Sequence, residues 1–294
     1  MTTTAPRPID PLKPIPTGRY EDDIVVVRHA AARPGAVRTR HFGLWMHEGK
    51  LHVTHELAAH NIDNDLAGLV AEELFGTGWL SGSEAFERVL TGIVLTSAAD
   101  PDAAWELFYR NTLERLTGPS VGPAAVGSLA AYRPVYEHAL SLVPSGSALE
   151  MGCCFGFLSL RLAGRAQMTA SDVTPNTMRL LGRMAPLLGR ALETIVCDAA
   201  RVPRPDRSFD TVMAVHLLEH LEPDHGAAVL VEALRLARSR VFVAVPFEDA
   251  PTAVFGHVRT FGLDDLCHLG AASDWAWSAY EHHGGWLVLD RPGN

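Results

Sequence analysis

The apolar positions of this chain follow two regimes that change near Gly118. In the first, Asp23–His29 (DIVVVRH) predicts a strand, and His41–Trp45 with Leu51–Thr54 predicts a hairpin turning at Glu48-Gly49-Lys50. Beyond it, Leu66, Leu69, Val70 and Leu74 recur at helical spacing over 63–74. Ser83 is a candidate cap for a further helix that turns Phe86, Val89, Leu90 and Val94 inward. A third helix is expected over 101–116, with Trp105, Phe108, Leu113 and Leu116 on its inner face. Gly118-Pro119 and Gly122-Pro123 then interrupt the pattern. Residues 1–20, with Pro at 6, 8, 11, 14 and 16, read as a flexible arm. The expected organisation is therefore an arm over 1–20, an accessory α+β region over 21–118 and a larger unit over 119–294.

In the second regime, short apolar runs alternate with amphipathic stretches. Strands are predicted at Ser147–Met151, Gln167–Asp172, Thr194–Cys197, Thr211–Val215 and Arg240–Val245. Helices are predicted at Phe157–Ala163, Asn176–Leu188 and 224–237. Such alternation specifies an α/β, doubly wound, mostly parallel sheet covered on both faces. The ending differs: Trp275–His282 and Trp286–Leu289 flank Gly284-Gly285 and predict a terminal antiparallel hairpin, bringing the sheet to seven strands.

Composition narrows the class. Of 294 residues, 47% are hydrophobic and 20% charged, a globular balance. The net charge of −9 and the absence of a basic patch argue against nucleic acid or an anionic membrane as partner. Lys13 and Lys50 are the only lysines, and the dominance of arginine reads as coding bias. No run approaches a membrane span, and the N-terminus has no apolar segment behind a basic start. Cys153, Cys154, Cys197 and Cys267 show no CxxC spacing, which points to reduced thiols and a cytoplasmic protein.

The chemistry begins at Leu149-Glu150-Met151-Gly152-Cys153-Cys154-Phe155-Gly156. An acidic residue near a strand end followed by glycines lets backbone approach a ligand closely, as in adenosine-cofactor folds. This segment resembles the first motif, acidic-x-Gly-x-Gly-x-Gly, of class I S-adenosylmethionine (SAM)-dependent methyltransferases; the likeness spans roughly residues 140–294. Cys154 stands where the middle glycine is usual. The resemblance implies SAM as cofactor, with Glu150 and Gly152 facing its amino-acid end and Cys154 and Gly156 completing the loop. Asp172, 20 residues after Gly152, ends the second strand and would accept both ribose hydroxyls, with Val173 beside it. Cys197-Asp198-Ala199-Ala200, then Pro203 and Ser208-Phe209-Asp210, resembles the family's G-D-A…P…D-x-S-F-D stretch. There Asp198 would accept from the adenine amino group, and the Ala199 N–H would meet a ring nitrogen. A nicotinamide enzyme accounts for neither Asp198 nor the closing hairpin.

Methyl transfer to a hydroxyl needs alignment and a base. The turn after the fourth strand, Val215-His216-Leu217-Leu218-Glu219-His220, supplies imidazoles and a carboxylate. On a helical turn His216, Glu219 and His220 (i, i+3, i+4) share a face. The spacing resembles the Glu-x-x-Glu-His cluster of metal-assisted O-methyltransferases, with His257 as the further histidine. The resemblance implies Glu219, His220 and His257 as catalytic residues, and as ligands of a divalent ion in the metal-dependent case. His216 replaces a glutamate and stands next to the cofactor. Leu-Glu-His also occurs in methyltransferases that bind no metal, where His220 or His257 would act as general base. Arg259 either orients an oxygen-rich acceptor or forms a surface ion pair. The scattered histidines of the N-terminal part (His41, His47, His52, His55 and His60) read as solvated or packed, and Trp275, Trp277 and Trp286 as core or edge packing.

The acceptor is less constrained. A His/Glu-lined site suits O-methylation of a hydroxylated small molecule or glycan. Arg38–Gly43, Asp63–Gly68 and Leu80–Gly92 are similar to segments of actinobacterial methyltransferases that modify the oligosaccharide of mycofactocin. The N-terminal part would shape the acceptor side or a homodimer contact. A non-catalytic binding subunit, or N- or C-methylation, stays open.

Overall fold

The computed structural model describes residues 8–15, 18–118 and 128–293. It separates into two compact units, Met1–Ala131 and Tyr132–Asn294. The division falls beyond the Gly118-Pro119 break, which adjoins undescribed residues 119–127.

The first unit holds strands β1 (Arg19–Glu21), β2 (Val25–His29), β3 (Val37–Arg38), β4 (Phe42–His47) and β5 (Lys50–His55) in the order β1-β2-β5-β4-β3. The expected β4–β5 hairpin is present, with Trp45 opposite His52, while β2 and β5 run parallel. Helices α1 (Leu66–Val70), α2 (Ser83–Leu95) and α3 (Pro101–Thr117) follow, and a π-helical turn over Ala71–Phe75 extends α1. Ser83 is not the cap of α2: Gly82 holds that position, at φ +85°. The α3 N-terminus is capped by Asp100, which accepts from the Ala103 N–H. The arm expected over 1–20 is docked where it is described. The Trp105 indole N–H donates to the Pro11 carbonyl at 2.6 Å, and Ile15 and Tyr20 are buried. Its apolar side chains find a surface, so the proline-rich composition does not leave this stretch free.

The helix α4 (Leu129–Leu142) leads into the second unit. There follow β6 (Ser147–Met151), α5 (Phe157–Leu162), β7 (Gln167–Asp172), α6 (Pro175–Leu187), β8 (Leu192–Val196), β9 (Phe209–Val215), α7 (Pro223–Leu236), β10 (Ala237–Val245), α8 (Leu263–Ala271), β11 (Ala276–Glu281) and β12 (Gly285–Asp290). The seven-stranded sheet runs β11-β12-β10-β9-β6-β7-β8, parallel except for the β11–β12 hairpin, which adds antiparallel to β10.

Alternation along the strands builds two cores. Leu149, Met151, Val212, Ala214, Val241 and Val243 meet Val229, Ala233 and Leu236 of α7 and Leu266 of α8. Ala148, Met213, Val215, Phe242 and Trp286 meet Val135 and Ala139 of α4 and Leu158 and Leu162 of α5. Strand order reverses between β6 and β9, so their carboxyl ends open a crevice at the topological switch point. Among the described residues no helix is long and apolar enough to cross a membrane.

Candidate functional site at the carboxyl edge

The expected cofactor residues lie near or just past the carboxyl ends of parallel strands β6, β7, β8 and β9. After β6 the chain turns through Gly152 at φ +68° and reaches α5 through Gly156 at φ +72°. A Cβ on Gly152 would stand 2.5 Å from Leu217 Cδ1, and one on Gly156 2.5 Å from Leu181 Cδ2, so both positions require glycine. Cys154 adopts the same left-handed region, φ +49°, which explains why glycine is usual there. The loop is pinned to β7: the Cys154 N–H donates to Asp172 Oδ2 at 3.0 Å, and the Thr174 N–H to Oδ1 at 2.9 Å. These bonds hold the Asp172 carboxylate at the strand tip with lone pairs left for ribose hydroxyls. Val173 beside it is 69% exposed, an apolar surface available to an adenine ring.

Asp198 is exposed just past β8. Its Oδ1 accepts from the Ala200 N–H and from His225 Nε2, both at 2.8 Å, leaving Oδ2 for a ligand. The Ala200 and His225 bonds, against slight burial, hold its carboxyl below the usual range. Ala199 is half-buried next to it. His225, on the first turn of α7, is a partner that spacing alone did not reveal. Glu150 departs from expectation. Its side chain is buried and takes the Ser159 hydroxyl of α5, so it braces the loop instead of facing a ligand's amino-acid end. Burial raises its carboxyl to about 7, against the hydrogen bonds from Ser159.

The expected acid–base residues divide. Glu219 and His220 lie on a short 3-10 turn, Leu218–His220, after β9, and His257 arrives on the loop after β10. One ligand atom from each of the three lies within 4.8 Å of the others. His220 and His257 meet edge to face, ring centroids 4.8 Å apart. His216 does not join them on a helical face. It sits at φ +55° before the turn begins, its Nδ1 is 4.0 Å from Glu219 Oε1, and its ring packs on Tyr132 at 5.3 Å. Three bonds tie the loop to the turn: Val258 N–H to the Glu219 carbonyl at 2.9 Å, His220 Nδ1 to the Gly256 carbonyl at 3.3 Å, and Arg259 Nε to the Leu218 carbonyl at 3.3 Å. Arg259 also lies over Phe261 at 4.1 Å, so it braces the turn and forms no ion pair among the described residues.

Electrostatics set this cluster apart. Glu219 is 1% exposed and neither carboxylate oxygen has a hydrogen-bond partner among the described residues. Burial, with some help from the Glu248 charge, pushes it up to about 8. Burial and the neighbouring His257 and His220 bring His216 down to about 4, and burial also lowers His220. Near neutral pH His216 is an uncharged imidazole and Glu219 a protonated carboxyl, which on losing its proton could bind a cation. Glu248, three residues past β10, was not foreseen; its Oε2 is 2.7 Å from His257 Nδ1. A cavity of about 490 Å³ lies away from this edge, at the amino ends of β6 and β7, and one of about 810 Å³ is lined by Cys197, Asp198, Arg201 and Arg204.

Residues 148–240, from β6 into β10, match the family model of a methyltransferase domain. The seven-stranded, mostly parallel sheet with its antiparallel end hairpin agrees with that match. Among solved structures, the chain is similar to magnesium protoporphyrin IX methyltransferase from Synechocystis with bound SAM (16% identity, 66% of this chain and 99% of that one, TM-score 0.47). It is also similar to a SAM-dependent methyltransferase from Aquifex aeolicus (15% identity, 53% and 88%, TM-score 0.44). A protein studied for conversion of a disulfide bond into a thioacetal in echinomycin biosynthesis is 21% identical over 55% of this chain and 82% of that one, TM-score 0.47. No curated protein matches the chain.

Proposed function

We propose that this protein is a SAM-dependent O-methyltransferase acting on a hydroxyl of an oligosaccharide or glycosylated small metabolite, the mycofactocin glycan being the member of that class suggested by the N-terminal part. The observation that carries the reading is the Glu219–His220–His257 cluster at the edge where Asp172 and Asp198 end their strands. The cofactor supplies a methyl group on a sulfonium. Asp172 would hold the ribose, and Asp198 with Ala199 the adenine. His257 or His220 takes the acceptor's proton at Nε2, since Nδ1 of each ring is engaged. Glu219, protonated, adds no negative charge that would oppose the charge developing on the acceptor oxygen.

A second reading is favoured by the two unpartnered oxygens of Glu219. With His220 and His257 they form a two-nitrogen, one-carboxylate set, which suits a borderline divalent ion better than Mg²⁺. Such an ion would lower the acidity threshold of an acceptor hydroxyl.

Incubation with labelled methyl donor and an extract of glycosylated metabolites, with and without chelator, tests both readings. Label in a glycan, lost in Glu219→Gln/His257→Ala, supports the proposal, and chelator sensitivity selects the second reading. Calorimetry showing no binding of SAM or its demethylated product overturns it, as does label only on nitrogen or carbon.

A further inference from the structure

His257 is embedded in a closed relay. Its Nδ1 lies 2.7 Å from Glu248 Oε2, and Glu248 Oε1 accepts the Thr252 hydroxyl at 2.7 Å. The two paired side chains are 10% and 9% exposed. The backbone makes the same enclosure: Phe255 N–H donates to the Thr252 carbonyl at 3.0 Å, Gly256 N–H to the Ala253 carbonyl at 3.0 Å, and Gly256 turns at φ +80° to deliver His257 back toward Glu248.

We propose that Glu248, held by Thr252, is the positioning residue that fixes His257 as its Nδ1–H tautomer and thereby presents a bare Nε2 toward Glu219 and His220. The proposal rests on the reading of His257 as a working imidazole. An ionised carboxylate has no hydrogen to give, so the hydrogen in a 2.7 Å contact with it belongs to the ring. Thr252 occupies the oxygen that would otherwise let the carboxylate swing away. Free imidazole favours the opposite tautomer, whose Nε2 carries the hydrogen and cannot take a proton or hold an ion. A carboxylate behind the ring therefore decides whether the front nitrogen is usable.

Long-range proton–nitrogen correlation spectra of the full chain, made with nitrogen-labelled histidine and recorded where the imidazoles are neutral, read the tautomer directly. His257→Ala assigns the ring's signals. The expected pattern is Nδ1–H in the wild type, with Nε2–H gaining the majority in Glu248→Leu and a smaller change in Thr252→Val. Affinity for S-adenosylhomocysteine is expected to stay within about twofold, since Glu248 touches no cofactor residue. Zn²⁺, used as the probe ion, should bind about 10–100-fold more weakly to Glu248→Leu if the cluster takes a cation. An Nε2–H ring in the wild type overturns the proposal, and so does an unchanged tautomer in a folded Glu248→Leu. Should Glu248→Leu fail to fold, Thr252→Val and the wild-type spectrum still decide it. Failure of the wild type to bind S-adenosylhomocysteine would overturn the methyltransferase reading and leave the tautomer result standing.

Discussion

Glu219→Gln should make the protein more stable above neutral pH, with the smallest effect in mild acid. The carboxyl is enclosed, has no hydrogen-bond partner among the described residues and is pushed up by burial to about 8, against 4.5 for a free glutamate. Between those values the unfolded chain has released the proton that the folded chain keeps. The unfolded state binds fewer protons there, so stability falls as pH rises through the window. The slope is about 1.4 kcal/mol per pH unit, which sets a ceiling of about 5 kcal/mol by pH 8. Relaxation and water entry around a buried charge reduce such penalties, so a loss of about 2–3 kcal/mol is expected. Glutamine keeps the shape and cannot ionise.

The assay is urea unfolding in chelator, for wild type and Glu219→Gln, at several values from about pH 5 to about pH 9. The two midpoints should lie nearest at the acid end, where the wild type has lost least. Toward pH 9 the wild type should fall behind the variant. Adding Zn²⁺ or Mn²⁺ should reverse the order if the cluster holds an ion, since about 100-fold excess over Kd is worth about 2.7 kcal/mol to the form that binds it. Parallel stability curves for the two proteins across the whole range would refute the reasoning, because they would mean Glu219 ionises freely or finds a partner.

Asp172→Ala should weaken S-adenosylhomocysteine binding by at least about tenfold in calorimetry, through loss of charge-assisted hydrogen bonds worth about 1.5–3 kcal/mol; unchanged affinity would remove the ribose assignment. Cys154→Gly relieves a left-handed side-chain position (φ +49°) and should stabilise by about 0.5–1 kcal/mol in thermal unfolding, whereas destabilisation would show the thiol packs usefully. Gly152→Ala places a Cβ 2.5 Å from Leu217 Cδ1 at positive φ and should cost about 2–3 kcal/mol. Leu217→Ala in the same chain should recover part of that loss, and no recovery would place the strain in the backbone alone.

The strands that carry the cofactor edge were legible because buried parallel strands are short apolar runs, and their tips carry the acidic residues quoted from the sequence. Helix α4 escaped because Pro134 lies inside it and Tyr132 and Tyr136 blur its apolar stripe. The Glu219–His220 pair was legible from spacing, but the inclusion of His216 was not sound, since the chain reverses through a left-handed residue before any helical turn starts. Glu248 gave no signal at all. Its partner lies nine residues away, across a turn whose path depends on Gly256, and no periodicity links such positions.

Physical chemistry marks this edge without help from any likeness to other proteins. Two non-glycine residues in left-handed conformation, Cys154 and His216, follow β6 and β9, the strands flanking the switch point. Each stores about 1–2 kcal/mol. Beside them stands a buried carboxyl with no hydrogen-bond partner among the described residues, on a turn tied by one backbone bond and by the His220 and Arg259 side chains. A chain gains nothing in stability from placing a strained loop, a strained histidine and an unpaired acid at one crevice. Such local conflicts persist where function requires them. The remaining left-handed non-glycine residues, Glu48, Arg207 and His283, fall in turns outside this crevice. The three costs converge at the crevice beside which Glu219, His220 and His257 gather, the site proposed here for the chemistry.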